Sequence, residues 1–540
     1  MFPLRIALRR LLPLLLCFSV RAEPWDVLIR HGTIIDGTGR IGFSGDLAVR
    51  NGRIARVGQV EGVAKREIDA SGLVIAPGFI DVHTHAEGIL HAPEAENFVR
   101  MGVTTVVVGN CGTSELDVAG FFRALEQTNV SINVATLIGH NAVRSEVMGP
   151  SSMRPPTAEE LARMKLRIEQ AMKDGAVGFS TGLIYSPGKY AQTGEITELA
   201  KVAAAYHGIY ATHVRDEQEG LLASLQEAFK VGRDAGIPVE ISHLKLSGNL
   251  ISPQKPETIR YLEKARSEGL AAKVIAALEN AHREGLKVSQ DLYPYSAATA
   301  SLTRLLPAEA REGSRQQLER HLADPAQRAR IGAAMKQELL QSGCTDYAHA
   351  VIVTCRRYKK LQGLTILQAT QERRGTSSLD SQIDLILDLV ANGGASIILY
   401  GMDENDLLPF MRLPGTMFIS DSGVFQFGNE TEHPRGYGSA ARILSRYVRQ
   451  ERQLTLEEAI RKMTSLAAST FQLKDRGEIR EGAWADLVVF DPATVQDQAT
   501  FASPHLCATG FKHVFVNGIE TVADDRHTRA RAGQAIRRGM

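Results

Sequence analysis

The chain has 540 residues, 44% hydrophobic and 23% charged, enough for a large core with a smaller domain beside it. A formal net charge of +1, with no Lys/Arg block beyond the N-terminus, removes the electrostatic case for nucleic acid or an acidic membrane as partner. Five cysteines are too few for a disulfide framework.

At the N-terminus, Arg5, Arg9 and Arg10 precede an uncharged stretch from Leu11 to Val20, followed by Val20-Arg21-Ala22. A basic region, an apolar run and a small-residue cleavage site predict a secretory signal over residues 1–22. The apolar run is about half the ~20 residues that a membrane-spanning helix needs. With no other long apolar stretch, the mature protein is expected to be soluble, and periplasmic or secreted. An oxidising compartment would permit Cys344 and Cys355 to pair.

From 23 to 76 the pattern is short strands and tight turns: Asp26–Arg30, Thr33–Gly37, Asp46–Val49 and Arg53–Ala55, with Asn51-Gly52 as a hairpin signal. The same texture returns over 475–540, in Gly477–Ile479, Ala485–Phe490 and Val514–Gly518. Two all-β pieces at opposite ends predict one small β domain built from both. Between them, over 77–474, strand signals at Phe79–His85, Thr104–Cys111, Ile132–Ile138, Ala176–Thr181, Ile209–His213, Val239–His243, Val288–Tyr293 and Thr416–Asp421 alternate with helical patterns such as Ala158–Lys173, Glu217–Ala235 and Glu257–Glu284. Eight strands alternating with helices predict an α/β fold, a (β/α)8 TIM barrel. The span of about 300–396 exceeds a barrel connection and has its own helical patterns. It reads as an insertion after strand seven, at the active-site end, where it would act as a lid.

Six residues stand at the ends of these apolar runs: His83 and His85, Cys111, His213, His243 and Asp421. Each type binds or serves a divalent metal, and the strand ends of one parallel barrel bring distant residues together. Alternation along the first strand turns His83 and His85 the same way as Asp81 and Phe79, with Ile80 and Val82 directed toward the helices. Asp81 has two readings: a partner orienting an imidazole, or a hydrogen-bonding group of the barrel interior.

Pro77-Gly78-Phe79-Ile80-Asp81-Val82-His83-Thr84-His85, which joins the β domain to the first barrel strand, resembles the amidohydrolase superfamily, as does the tail from Gly477 to Val488. Gly109-Asn110-Cys111-Gly112, Thr212–Glu217, Ser242–Lys245, Asp291–Tyr295 and Gly182–Ala191 are similar to its D-aminoacylase branch. The resemblance spans essentially the mature chain and is weakest from about 300 to 400. It implies that Cys111, His213 and His243 hold a tight zinc, and that His83, His85, Asp421 and a shared Cys111 line a second, weaker position. Cys111 would take the bridging role of a modified lysine in related hydrolases, and strand four offers no lysine for it. Metal lowers the pKa of bound water toward ~7, supplying hydroxide at neutral pH. Asp421 would take the water's proton and pass it to the leaving nitrogen.

By the same resemblance, Lys245, Tyr293, Thr299 and Arg435 engage the carboxylate of an N-acyl amino acid, Arg435 with a guanidinium suited to a bidentate pair. The chain departs from the branch at Leu244, where a second His is usual, at Thr299, where Ser is common, and in the longer segment Leu250–Lys273. The expected activity is zinc-dependent hydrolysis of N-acyl-D-amino acids. Two rivals remain at this point: another amidohydrolase chemistry, on cyclic amides (hydantoins or dihydroorotate) or dipeptides, and a non-catalytic binding protein of the same fold.

Overall fold

The computed structural model describes residues 24–247, 260–311, 315–355, 357–426, 433–501 and 503–539. The signal segment 1–22 lies outside the described residues, as do residues 250–259 of the lengthened segment.

Eight strands form one parallel sheet in chain order: Phe79–Asp81, Val103–Val108, Asn133–Gly139, Gly178–Gly182, Ile209–His213, Val239–Ile241, Val288–Leu292 and Thr416–Phe418. Parallel strands covered by helices are buried on both faces, and here the second, third and seventh are buried at every position. Val106, Val134 and Tyr210 pack among the outer helices, while Val107, Ala135 and Ala211 belong to an inner cluster. That is the two-residue alternation of a strand.

The barrel closes between its first and last strands with help from a side chain. Asp81 Oδ1 accepts the His83 N–H at 3.2 Å and Oδ2 accepts the Ser420 N–H at 2.9 Å. Beyond them the Asp421 N–H donates to His83 O, and Thr84–His85 pairs with Ser422–Gly423. Asp81 is thus a barrel-closing acceptor, and of its two sequence readings the interior one holds. The facing expected along this strand is corrected. Ile80 and Val82 join the inner cluster and Phe79 packs in the helix layer. Regular pairing stops at Asp81, so the alternation cannot be extended to the two histidines, which reach the barrel mouth from beyond the strand's end.

Several other boundaries differ from the sequence patterns. The long helical stretch to Glu284 is two helices, Arg260–Ser267 and Leu270–Arg283. They meet at Gly269, whose φ of +64° is left-handed and stops the first helix. Helix Ala158–Lys173 starts where the sequence places it, because Thr157 and Glu160 form a capping box.

Strands from both chain ends form a nine-stranded sheet. Its seam is Val74–Pro77, parallel to Trp25–Ile34 on one side and antiparallel to Leu487–Phe490 on the other. The C-terminal tail also binds the start of the third barrel strand: Val134 N–H donates to Gln534 O at 2.9 Å and Ile536 N–H to Val134 O at 2.8 Å.

Between strands seven and eight the chain builds a separate unit. Ala297–Ser301, Ser396–Tyr400 and Ala350–Thr354 form a three-stranded antiparallel sheet with Ser396–Tyr400 in the middle. Helices Arg315–Ala323, Pro325–Gln341, Ile366–Arg374 and Leu379–Ala391 pack on it around a core that includes Leu302, Ile352, Ile386 and Ile397. Cys344 and Cys355 are buried in this core and no disulfide joins them, which corrects the pairing considered above. Among the described residues no helix is long and apolar enough to cross a membrane.

Candidate metal centre

The structure gathers all six strand-end residues at the barrel mouth. Cys111 Sγ lies 3.4 Å from His83 Nε2, 3.5 Å from His213 Nδ1 and 3.8 Å from His243 Nε2. A tetrahedral zinc with thiolate at ~2.3 Å and imidazole at ~2.0–2.1 Å sets sulfur and nitrogen ~3.6 Å apart, so the donors already stand at ligand spacing. Burial alone would push the Cys111 thiol up, but the facing imidazoles of His83, His213 and His243 outweigh it and hold the group well below the usual thiol range. The metal-binding thiolate is favoured. Facing the same His83 nitrogen, Asp421 Oδ1 lies 3.7 Å from His83 Nε2 and 3.3 Å from His85 Nε2. His83, His85 and Asp421 thus make a second group at metal-binding distances.

Backbone conformation aims three of these side chains. Cys111, His243 and Asp421 have φ of +53°, +37° and +50°. Non-glycine residues adopt this left-handed region at a cost, and such residues cluster at functional sites. At each, the chain turns just past a strand end, and the side chain points over the barrel mouth instead of along the strand's alternation.

Two carboxylates in the quoted motifs orient the histidines, and the sequence reading gave neither a role. Asp291, on strand seven, lies with Oδ2 3.1 Å from His83 Nδ1. Its Oδ1 accepts the His243 backbone N–H. A proton held on Nδ1 by Asp291 leaves Nε2 of His83 as the donor that faces Cys111. Glu217 Oε1 stands 3.1 Å from His243 Nδ1 and 3.6 Å from His213 Nε2, behind both rings, and also pairs with Lys245. An acidic residue three to four positions past a metal-binding histidine, as in His213–Glu217, is the signal that could have found it.

The four residues assigned to the substrate carboxylate fall differently. Arg435 and Lys245 flank the Tyr293 ring, at 4.7 Å and 5.8 Å from its centroid. Both cations already have acidic partners: Arg435 Nη1 donates to Asp421 Oδ2 at 2.7 Å, and Lys245 donates to Glu217. Burial opposes ionisation of Asp421, but Arg435 and then His85 outweigh it, so the carboxyl sits well below the usual carboxylate range. No hydrogen bond joins Thr299 to this group. It lies on the insertion's sheet opposite Ile398, its hydroxyl buried without a hydrogen-bond partner. His433 ties that strand to Arg435: the Arg435 N–H donates to Nδ1 at 3.0 Å, so Nε2 carries the proton it donates to Ala297 O at 2.9 Å. Burial and then Arg435 push the imidazole's pKa well down, in keeping with this neutral tautomer.

A model of the amidohydrolase family matches residues 66–284 and 429–522. The D-aminoacylase of Alcaligenes xylosoxydans xylosoxydans is 34% identical, over 96% of this chain and 98% of that one. The crystal structure of N-acyl-D-glutamate deacylase from Bordetella bronchiseptica, complexed with zinc and a phosphonate inhibitor, superposes with a TM-score of 0.78 at 33% identity. It covers 95% of this chain and 100% of its own. A D-hydantoinase structure shares the fold at 14% identity and a TM-score of 0.52, covering 95% of this chain and 99% of its own.

Proposed function

The chain belongs to the amidohydrolase family, in its D-aminoacylase branch, and from that premise we propose that it hydrolyses the amide bond of N-acyl-D-amino acids with zinc as cofactor. The observation that carries the reading is the ring of three imidazole nitrogens 3.4–3.8 Å from the Cys111 sulfur, with a carboxylate beside it. Cys111, His213 and His243 would hold the tight zinc, and His83, His85 and Asp421, sharing Cys111, a second position. Zinc, when bound, polarises the amide carbonyl and makes water a nucleophile at neutral pH.

The chain's own groups supply the rest. Arg435 fixes Asp421 Oδ2, leaving Oδ1 on the side of His83 and His85. Being ionised at neutral pH, that carboxylate can accept the proton of the attacking water at Oδ1 and return it to the departing nitrogen. The C–N bond breaks, yielding a carboxylate and a free amino acid. Asp291 and Glu217 keep the imidazoles in the orientation and tautomer that face the sulfur. Turnover of a panel of N-acetyl-D- and L-amino acids by the zinc-loaded protein tests the reading. Activity confined to hydantoins or dihydroorotate would replace it with the cyclic-amide chemistry.

Carboxylate recognition by Arg435, Lys245, Tyr293 and Thr299 belongs to the same proposal. Because Arg435 also holds Asp421, Arg435→Ala is expected to slow substrates with and without a carboxylate. Thr299→Val is the cleaner probe, since the hydroxyl bonds nothing among the described residues. A hydrogen bond to a charged group contributes ~1.5–3 kcal/mol. Thr299→Val should therefore lower kcat/KM for N-acyl-D-amino acids by roughly ten- to a hundredfold and leave an N-acyl amine without the carboxylate unchanged. Equal losses on both would remove Thr299 from the carboxylate site.

We place the mature protein outside the cytoplasm, on the strength of the basic and apolar N-terminal segment ending at Ala22. N-terminal sequencing of the exported protein should start near residue 23, and an intact Met1 would argue against cleavage.

A further inference from the structure

A cavity of about 460 Å³ opens beside the metal centre, touching it at His85 and Cys111. Its remaining wall comes from the segments that follow barrel strands two, three and four, and includes Thr113, Ala142, Ser145 and Tyr185. The groups proposed for the substrate carboxylate follow strands six, seven and eight, on the opposite arc of the barrel. The cluster of imidazoles lies between the two arcs.

An N-acyl amino acid has the same order. Its scissile carbonyl separates the acyl group on one side from the nitrogen, Cα and carboxylate on the other. With the carboxylate held on the arc of strands six to eight and the carbonyl over the cluster, the acyl group extends toward strands two to four. Resting on the deacylase reading above, we infer that this cavity is the acyl-chain site and that it takes uncharged acyl groups larger than acetyl. A methyl, of the size of a water molecule, fills only roughly 30 Å³. Among the described residues the lining includes hydroxyls, an amide and apolar carbon but no lysine, arginine, aspartate or glutamate that would neutralise a charged acyl chain.

The wall is built rather than loose. The Ala142 N–H donates to Gly112 O at 3.0 Å, and Asn141 Nδ2 donates to Gly182 O at 3.2 Å. Behind them, Glu195 bonds the His140 ring at 2.9 Å and accepts from Arg144, all three buried. This buried pairing fixes the first turns of the helix His140–Met148 that presents Ala142 and Ser145. At Gly112, whose φ is +77°, a Cβ would stand 2.6 Å from Asn141 Oδ1. The close approach of the Gly112 turn to the first turn of this helix therefore needs glycine.

The test is a series of N-acetyl-, N-butyryl- and N-hexanoyl-derivatives of one D-amino acid on the zinc-loaded protein. Burial of the added methylenes should raise kcat/KM at least about tenfold from acetyl to hexanoyl. Filling the cavity by Ala142→Phe, or by Ser145→Phe as an independent variant, should cut the hexanoyl-to-acetyl ratio by about tenfold or more. It should keep the order of preference among amino-acid side chains in the N-acetyl series. A flat chain-length dependence in the unaltered protein would overturn the inference while leaving the deacylase reading intact. So would variants that reorder the amino-acid side chains, since the cavity would then hold the side chain. Lack of turnover on every N-acyl amino acid would overturn both.

Discussion

Cys111→Ala is expected to abolish zinc retention and activity together. Among the described residues Cys111 is the one side chain whose donor atom faces His83, His213 and His243 at once, and it would be the ligand common to both metal positions. Alanine leaves only imidazoles and carboxylates and a gap where the thiolate stood. The backbone at 111 is left-handed for either residue, so the fold should survive and circular dichroism should be unchanged. Metal content after dialysis is the decisive reading. Stoichiometric zinc in the variant would show that the sulfur is not the bridging ligand.

Asp421→Asn separates proton transfer from metal binding. Asparagine keeps the shape, tolerates the left-handed backbone at 421 better than most residues, and retains an acceptor for Arg435. It cannot take a proton. We expect kcat to fall by ~10²-fold or more, the range of general base catalysis. The tight zinc should stay, because Cys111, His213 and His243 are untouched. Near-normal kcat would leave the proposed mechanism without its base.

The parts of this fold visible in the sequence were those written in local pattern. Apolar runs of four to eight residues marked the barrel strands, and the residue types at their ends marked the cluster. What stayed hidden needed contacts distant in sequence. Asp291 and Glu217 look like any acidic residue until the barrel brings one under His83 and the other behind His213 and His243. Asp81 cannot be told from an imidazole partner in the sequence because the groups it binds are backbone N–H groups, one of them Ser420 N–H, 339 positions away along the chain. The insertion's sheet is a different omission. Ala350–Thr354 and Ser396–Tyr400 are short continuous apolar runs without a two-residue alternation, and periodicity alone does not separate such runs from the helical patterns around them. The left-handed turns at Cys111, His243 and Asp421 have no sequence signature of their own, since glycine, the usual marker of positive φ, sits beside Cys111 rather than at it.

The seam of the β domain sets a timetable for the newborn chain. Pro77 must wait for Leu487 to be made before it gains its partner. At ~5–20 residues per second that delay is roughly 20–80 seconds. His83 and His85 leave the ribosome soon after Pro77, yet Asp421, which completes their group, follows only after about three quarters of the 540 residues have been made. The last stretch, through Ile536, then ties onto barrel strand three. A chain terminated before Leu487 has no partner for this seam, and one terminated before Asp421 lacks a donor as well. The sealed sheet and the complete donor set therefore coexist only once Phe490 has been made.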